Sequence, residues 1–256
     1  MRGYLKSLVR RYRKRRNLRL GLKSRDPFVI IRELTPVERP LIFDVGAHVG
    51  LAATRFRELF PLATIHCFEP YPESFERLRA GVAGSRPLEL HPLALAAAEG
   101  EATFSVNRNS ATNSLLASDA RGEIYWRGDT PVTTGALKVR TTTVDAFASA
   151  RGIESMDILK MDVQGGEYEV LRGARDLLGR RAIGLIYMEL ITAPTYVGQH
   201  AVREYLEIFD AHGYVLFDLY NFGRSDGRLL QTDIIVVSPD VLAGHERRIA
   251  GSPPSA

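Results

Sequence analysis

The chain has 256 residues, 45% of them hydrophobic, enough to bury a full core as one large domain of the kind that runs to about 250 residues. Its formal charge of +4 is unevenly placed: residues 1–25 hold eleven of the 34 Lys and Arg and no acid, leaving 23 bases against 30 acids beyond them, about −7. An acidic body speaks against a folded domain that tracks a nucleic-acid backbone. The single Cys67 excludes an intrachain disulfide and permits a reducing cytosol, and no stretch approaches the ~18 apolar residues of a membrane span.

Residues 1–40 read as a basic tail followed by a linker or short helices. Leu5, Leu8, Val9 and Tyr12 recur at helical spacing among the bases, so this arm can lie on an anionic membrane, stay solvated, or fold against the domain or a partner subunit. It lacks the apolar middle of a secretion signal, which places the protein in the cytoplasm, with the arm available to the inner membrane surface. From residue 41 apolar strands alternate with helices. LIFDV is a buried strand, LAATRFRELF a helix, ATIHCFEP a strand, ESFERLRAGV a helix, and LELHPLALA a third strand put at an edge by Pro92. That order implies a parallel α/β sheet with helices on both faces.

ATFSV and ALKVRTTTVDAF read as additional strands around a polar loop over residues 107–135. MDILKMDV and AIGLIYMEL are two further buried strands separated by the helical EYEVLRGARDLL. A helix over AVREYLEIFDAHG and a closing pair of strands, YVLFDLY and TDIIVVS, complete a domain over residues 41–240. Residues 241–256, ending in GSPPSA, read as a disordered tail.

The turn after the first strand, DVGAHVG at residues 44–50, is G-x-x-x-G preceded by an acid. A nicotinamide-binding loop is usually G-x-G-x-x-G, with bare backbone facing a diphosphate. A carboxylate there repels a diphosphate and attracts an ammonium or sulfonium group. S-Adenosylmethionine has both groups, and Glu69, 19 positions beyond Gly50, stands where doubly wound folds place an acid on the ribose hydroxyls. Asp44, Gly46, Gly50 and Glu69 therefore form one candidate cofactor set, with the glycines admitting the methionine part and Asp44 facing its amino group.

DVGAHVG, CFEP, LALAAAEG, the NSL of residues 113–115, LKMDVQGGEYEVLRGA and YMEL resemble, in order, the FkbM family of class I methyltransferases, over residues 42–237. The resemblance implies a Rossmann-like, seven-stranded, mostly parallel sheet with its last strand antiparallel. It also implies O-methyl transfer from S-adenosylmethionine, often to saccharides or glycosylated small molecules, and a place for Asn113 and Ser114 near cofactor or acceptor. This chain has His48, Gln164 and Ala97 where the family commonly has Asn, Glu and a polar residue.

Asp162 and Glu189, at the C-terminal ends of adjacent strands, are candidate catalytic groups that can bind sugar hydroxyls or take up a proton. No spacing forms a dedicated metal cage. His48 is either a base near the methyl group or the floor of the pocket, and it counts among both the catalytic and the cofactor candidates. His200 is a candidate for the acceptor mouth, and Tyr125 and Trp126 for stacking on a sugar. Rival readings are an NAD(P)-dependent oxidoreductase, which lacks its glycine turn and a Tyr-x-x-x-Lys pair here, and a noncatalytic module docking on membranes or RNA through the arm. Oligomeric state is not legible in the sequence.

Overall fold

A computed structural model describes residues 26–82, 88–126 and 130–251; the basic arm before residue 26 and the last five residues lie outside the described residues. Helix α1 (Pro27–Leu34) starts on Asp26, whose Oδ1 accepts the Phe28 N–H at 2.9 Å, with Pro27 in the first turn where its missing N–H is not needed. Strand β1 (Leu41–Val45), helix α2 (Leu51–Leu59), strand β2 (Thr64–Phe68), helix α3 (Pro72–Gly81) and strand β3 (Glu89–His91) follow in right-handed alternation.

At Pro92 the third strand of the sequence reading divides. β3 stays at the edge of the main sheet, while β4 (Ala94–Leu95) leaves it and pairs with β6 (Thr133–Thr142) in a second sheet of order β4-β6-β5, where β5 is Gly100–Asn107. Proline has no N–H to continue the ladder, so the break falls there. A short helix α4 (Glu123–Trp126) lies in the connecting loop. The segment read as strand through Phe147 turns helical at Thr143, whose hydroxyl accepts from Ala146 N and starts α5 (Val144–Ser149).

Then come β7 (Met156–Met161), α6 (Glu167–Arg172), α7 (Arg175–Gly179), β8 (Ile183–Ile191), α8 (Val202–His212), β9 (Val215–Ser225), β10 (Arg228–Val237) and α9 (Pro239–Ala250). The main sheet runs β3-β2-β1-β7-β8-β10-β9, with β10 antiparallel to both neighbours and the rest parallel, as expected. α6 and α7 divide at Gly173, where any Cβ would run into the Ala96 carbonyl.

The C-terminal segment differs from the sequence reading, since α9 occupies residues 239–250 rather than a tail. Ser238 caps it through Val241 N, Pro239 opens it, and Arg247 and Arg248 sit in the last turn where the helix dipole favours them. Alternate residues of each central strand face opposite ways. Phe43, Val45, Leu159 and Ile186 pack under Phe147, Leu171 and Phe209, while Ile42, Ile65, Ile158 and Leu185 pack under Ile31, Ala53 and Phe56. Cys67 lies in the second core. None of the helices among the described residues is long and apolar enough to cross a membrane.

Candidate active site

Two cavities open at the C-terminal rim of β1 and β7, where open α/β sheets bind ligands. The first, about 110 Å³, has apolar walls from Phe68, Ala94, Leu95, Phe104 and Leu115 and polar groups from Glu69, Asn113 and Asp162. The second, about 380 Å³, is lined by Phe28, Arg55, Lys160, Tyr187, Glu189 and Asp233 among others. Gly46, His48, Ala111 and Asp162 line both, so the cavities adjoin across the glycine loop.

The loop is set by backbone. Gly46 N and Ala47 N both donate to Phe68 O at 3.0 Å, bending the chain over β2. Gly46 has φ +72°, and a Cβ there would strike the carbonyl of Asp162, so glycine is needed for the close pass of β7. Gly50 is placed differently from the expectation. It caps α2 with φ +87°, a Cβ on it would press on Leu78, and it lines neither cavity.

Asp44 also departs from its expected place. It is fully buried, and its Oδ1 lies 2.8 Å from Lys160 Nζ, with the two residues in register on β1 and β7. Lys160 also donates to the carbonyl of Gly46 at 3.0 Å. Burial pulls the ammonium's pKa down, but the carboxylates of Asp44 and Asp162 outweigh it, and the net direction is upward. An acid already neutralised by a buried lysine does not face a ligand. The signal for this in the sequence is the lone base inside the otherwise buried strand MDILKM.

Glu69 lines the first cavity as expected. Its Oε2 accepts the His48 N–H at 2.9 Å and its Oε1 the Tyr71 N–H at 2.8 Å. Burial pushes its pKa up, and the two backbone donors partly offset this. Asn113 lines the same wall. Its Oδ1 accepts from Asn107 N at 2.7 Å, while Nδ2 is buried with no hydrogen-bond partner. Ser114 lies behind the wall rather than on it, its hydroxyl donating to the Gln164 carbonyl at 2.8 Å and accepting from Leu116 N.

The structure gathers Asp162, Glu189 and His48 around one rim. Gln164 joins the first two: its Nε2 donates to Asp162 Oδ1 at 2.8 Å and to Glu189 Oε2 at 2.7 Å, while its Oε1 accepts from Tyr196 OH at 2.9 Å. Gln164 has φ +58° and is followed by Gly165 at +91°, a left-handed turn that directs the amide back over the strand ends. Glu189 holds its proton well above the usual carboxylate range, through burial first and then the charges of Asp162, Glu167 and Asp233. Asp233 is its register partner on β10, and like charges directly opposite are unfavourable. Asp233 itself accepts from Tyr187 OH at 2.7 Å and Asn221 Nδ2 at 2.6 Å.

His48, with φ +48°, places Nε2 3.0 Å from Ser110 Oγ, and burial and Arg77 lower its pKa, so the ring is neutral near pH 7. Glu167, which follows the turn, is fully buried, accepts the Val163 N–H at 2.8 Å, and is pushed up to about 7 by burial.

Other candidates lie elsewhere. His200 bridges Glu169 and Glu204 and stacks on Tyr168 beside a separate shallow pocket. Trp126 Nε1 donates to Thr195 Oγ1 and Tyr125 lies under the Arg228 guanidinium; neither lines the two cavities. Sequence reasoning missed Lys160, Tyr187, Tyr196 and Asp233.

Residues 44–216 match the Methyltransferase FkbM domain. The chain is 32% identical over 178 residues to the 2-O-methyltransferase NoeI of Sinorhizobium fredii, covering 66% of this chain and 70% of that protein. It is 27% identical to the 31-O-demethyl-FK506 methyltransferase FkbM of Streptomyces tacrolimicus (72% and 75% covered) and 24% identical to the hexuronic acid methyltransferase AglP of Haloferax volcanii (60% and 56%). Among solved structures, a methyltransferase FkbM from Methylobacillus flagellatus aligns over 77% of this chain and 44% of its own, with TM-score 0.46 and 11% identity.

Proposed function

The chain belongs to the FkbM methyltransferase family, and on that premise we propose that it transfers a methyl group from S-adenosylmethionine to a hydroxyl of a saccharide or glycosylated small molecule. One observation supports the cofactor assignment: the first cavity is lined, beside apolar walls, by Glu69. Each Glu69 oxygen accepts one backbone N–H and keeps a lone pair, so it can still receive a ribose hydroxyl. The residues present thus fit the cofactor. Asp44 is left out of the binding set because Lys160 occupies it.

The bound cofactor supplies an electrophilic methyl group on a cationic sulfur. Asp162, the carboxylate shared by both cavities, would take the proton of the acceptor hydroxyl. Gln164 fixes Asp162 and Glu189 relative to each other. Glu189, holding a proton, donates to a neighbouring hydroxyl, and Tyr187 and Asp233 line the rest of the acceptor cavity. His48 closes the floor between the cavities. Positioning of the two reactants supplies most of the acceleration. The names of the relatives support this acceptor class: two specify O-methyl transfer and one a hexuronic acid.

The test is calorimetric titration of the full chain with S-adenosylmethionine and with NADH. Glu69→Gln serves as the control, because alanine would also free the His48 and Tyr71 N–H groups. Micromolar binding of the first, weakened in the control, followed by labelled-methyl transfer to a panel of glycosides, is the expected result. Binding of NADH alone would overturn the cofactor assignment; tight cofactor binding with no glycoside accepted would overturn the acceptor class.

A further inference from the structure

His66 on β2 and Glu89 and His91 on β3 bring three donor atoms together outside both cavities. His66 and Glu89 are register partners, and Phe68 and His91 are the next such pair, so in a pleated sheet all four side chains leave the same face. His66 Nδ1 lies 3.1 Å from His91 Nε2 and 3.7 Å from Glu89 Oε2, and the three donor atoms all lie within 4.8 Å of one another. A tetrahedral ion with bonds of about 2.0–2.1 Å separates its ligand atoms by about 3.3 Å, and the two measured distances fall on either side of that value.

A hydrogen bond between the rings accounts for one proton and two nitrogens. It does not account for a carboxylate, which only accepts, turned toward the same nitrogen. Phe147 packs edge-on against both rings, at 5.6 and 4.8 Å between centroids, and limits their rotation. Arg151 opposes a cation here, with its guanidinium 3.7 Å above the Phe147 ring. Glu89 answers with one negative charge, and because it is exposed it leaves a side open for water as the fourth ligand.

We propose that His66, Glu89 and His91 form a binding site for a divalent transition metal of the zinc class. Two imidazoles, one carboxylate and a water constitute the donor set of such ions. The site lies one ring behind the first cavity, since His91 stacks on Phe68, which lines that cavity. An ion there ties the three-residue edge strand β3 to β2 and steadies the chain leading to Ala94 and Leu95 on the cavity wall.

The experiment uses the full chain freed of metal by a chelator, with Zn²⁺ added in competition with a chromophoric indicator, and Co²⁺ added separately for its visible spectrum. One equivalent should bind, Co²⁺ should give the intense bands of a four-coordinate site, and Zn²⁺ should raise the melting temperature. Partners that merely orient ligands are worth about 10- to 100-fold in affinity, so Glu89→Gln and His91→Gln should each weaken binding at least ~10-fold. Glu89 is exposed, so its variant folds even if the His91 variant does not. No stoichiometric binding, or binding unchanged in Glu89→Gln, would overturn the proposal; the second result would send the ion to another cluster, such as His200 with Glu169 and Glu204.

Discussion

Replacing Lys160 with Met tests the buried pair at the heart of the sheet. Lys160 Nζ sits 2.8 Å from Asp44 Oδ1 and 3.0 Å from the Gly46 carbonyl, with both side chains buried. Methionine fills a similar volume but leaves Asp44 as an uncompensated buried charge, which costs about 3–5 kcal/mol. The Gly46 carbonyl loses a donor as well, adding about 1 kcal/mol. Against a total stability of about 5–15 kcal/mol, the single variant should be close to unfolding. Asp44→Asn combined with Lys160→Met removes both charges and should recover most of the loss, leaving about 1–2 kcal/mol. Urea denaturation of the four proteins closes the cycle, with the double variant expected about 2–5 kcal/mol more stable than Lys160→Met. A loss under about 1 kcal/mol in Lys160→Met would mean that Asp44 does not depend on this lysine. The double variant, if folded, should also bind S-adenosylmethionine; loss of binding there would restore Asp44 to the cofactor site.

Glu167, raised to about 7 in the fold, binds a proton in the native state that the unfolded chain releases near pH 4.3. Its contribution is therefore full below about pH 4.3 and is lost as pH rises through 7, by roughly 4 kcal/mol in all; Glu167→Gln should flatten that slope between about pH 4 and 7 in denaturation curves, and an unchanged slope would refute the shift. Asp162→Asn should lower kcat by about 10²–10⁴, while His48→Asn should keep activity within about tenfold; the reverse order in a turnover assay would make the histidine the proton acceptor. A chain lacking residues 1–25 should keep its cofactor affinity in calorimetry, because Phe28 is the first of the described residues on either cavity, and should lose affinity for anionic vesicles; loss of both from a folded truncation would tie the arm to the site.

The central sheet was legible because β1, β2, β7 and β8 are short, mostly apolar runs that alternate with helical segments. Glu69 was legible because its place follows from strand order. The Asp44–Lys160 pair was not, since pairing residues 116 positions apart requires knowing that β7 lies beside β1. Gln164 was visible only as a departure from its family. Its role depends on a positive φ and on Glu189 and Tyr196, 25 and 32 positions away. The second sheet escaped detection because β4 has two residues, too few for any periodicity. The final helix was masked by the proline-rich end that follows it.

The break at Pro92 bears on how the protein is made. The first cavity takes Glu69 from the main sheet, Leu95 and Phe104 from the second, and Asp162 and Gly166 from a turn near the middle of the chain. A polypeptide emerging from the ribosome therefore carries Glu69 about a hundred residues before it has a pocket around it. Until the turn at residues 162–166 emerges, the first cavity lacks the wall that Asp162, Val163, Gln164 and Gly166 supply. Chaperone dependence during synthesis should be concentrated in that interval and should end once β7 has docked beside β1.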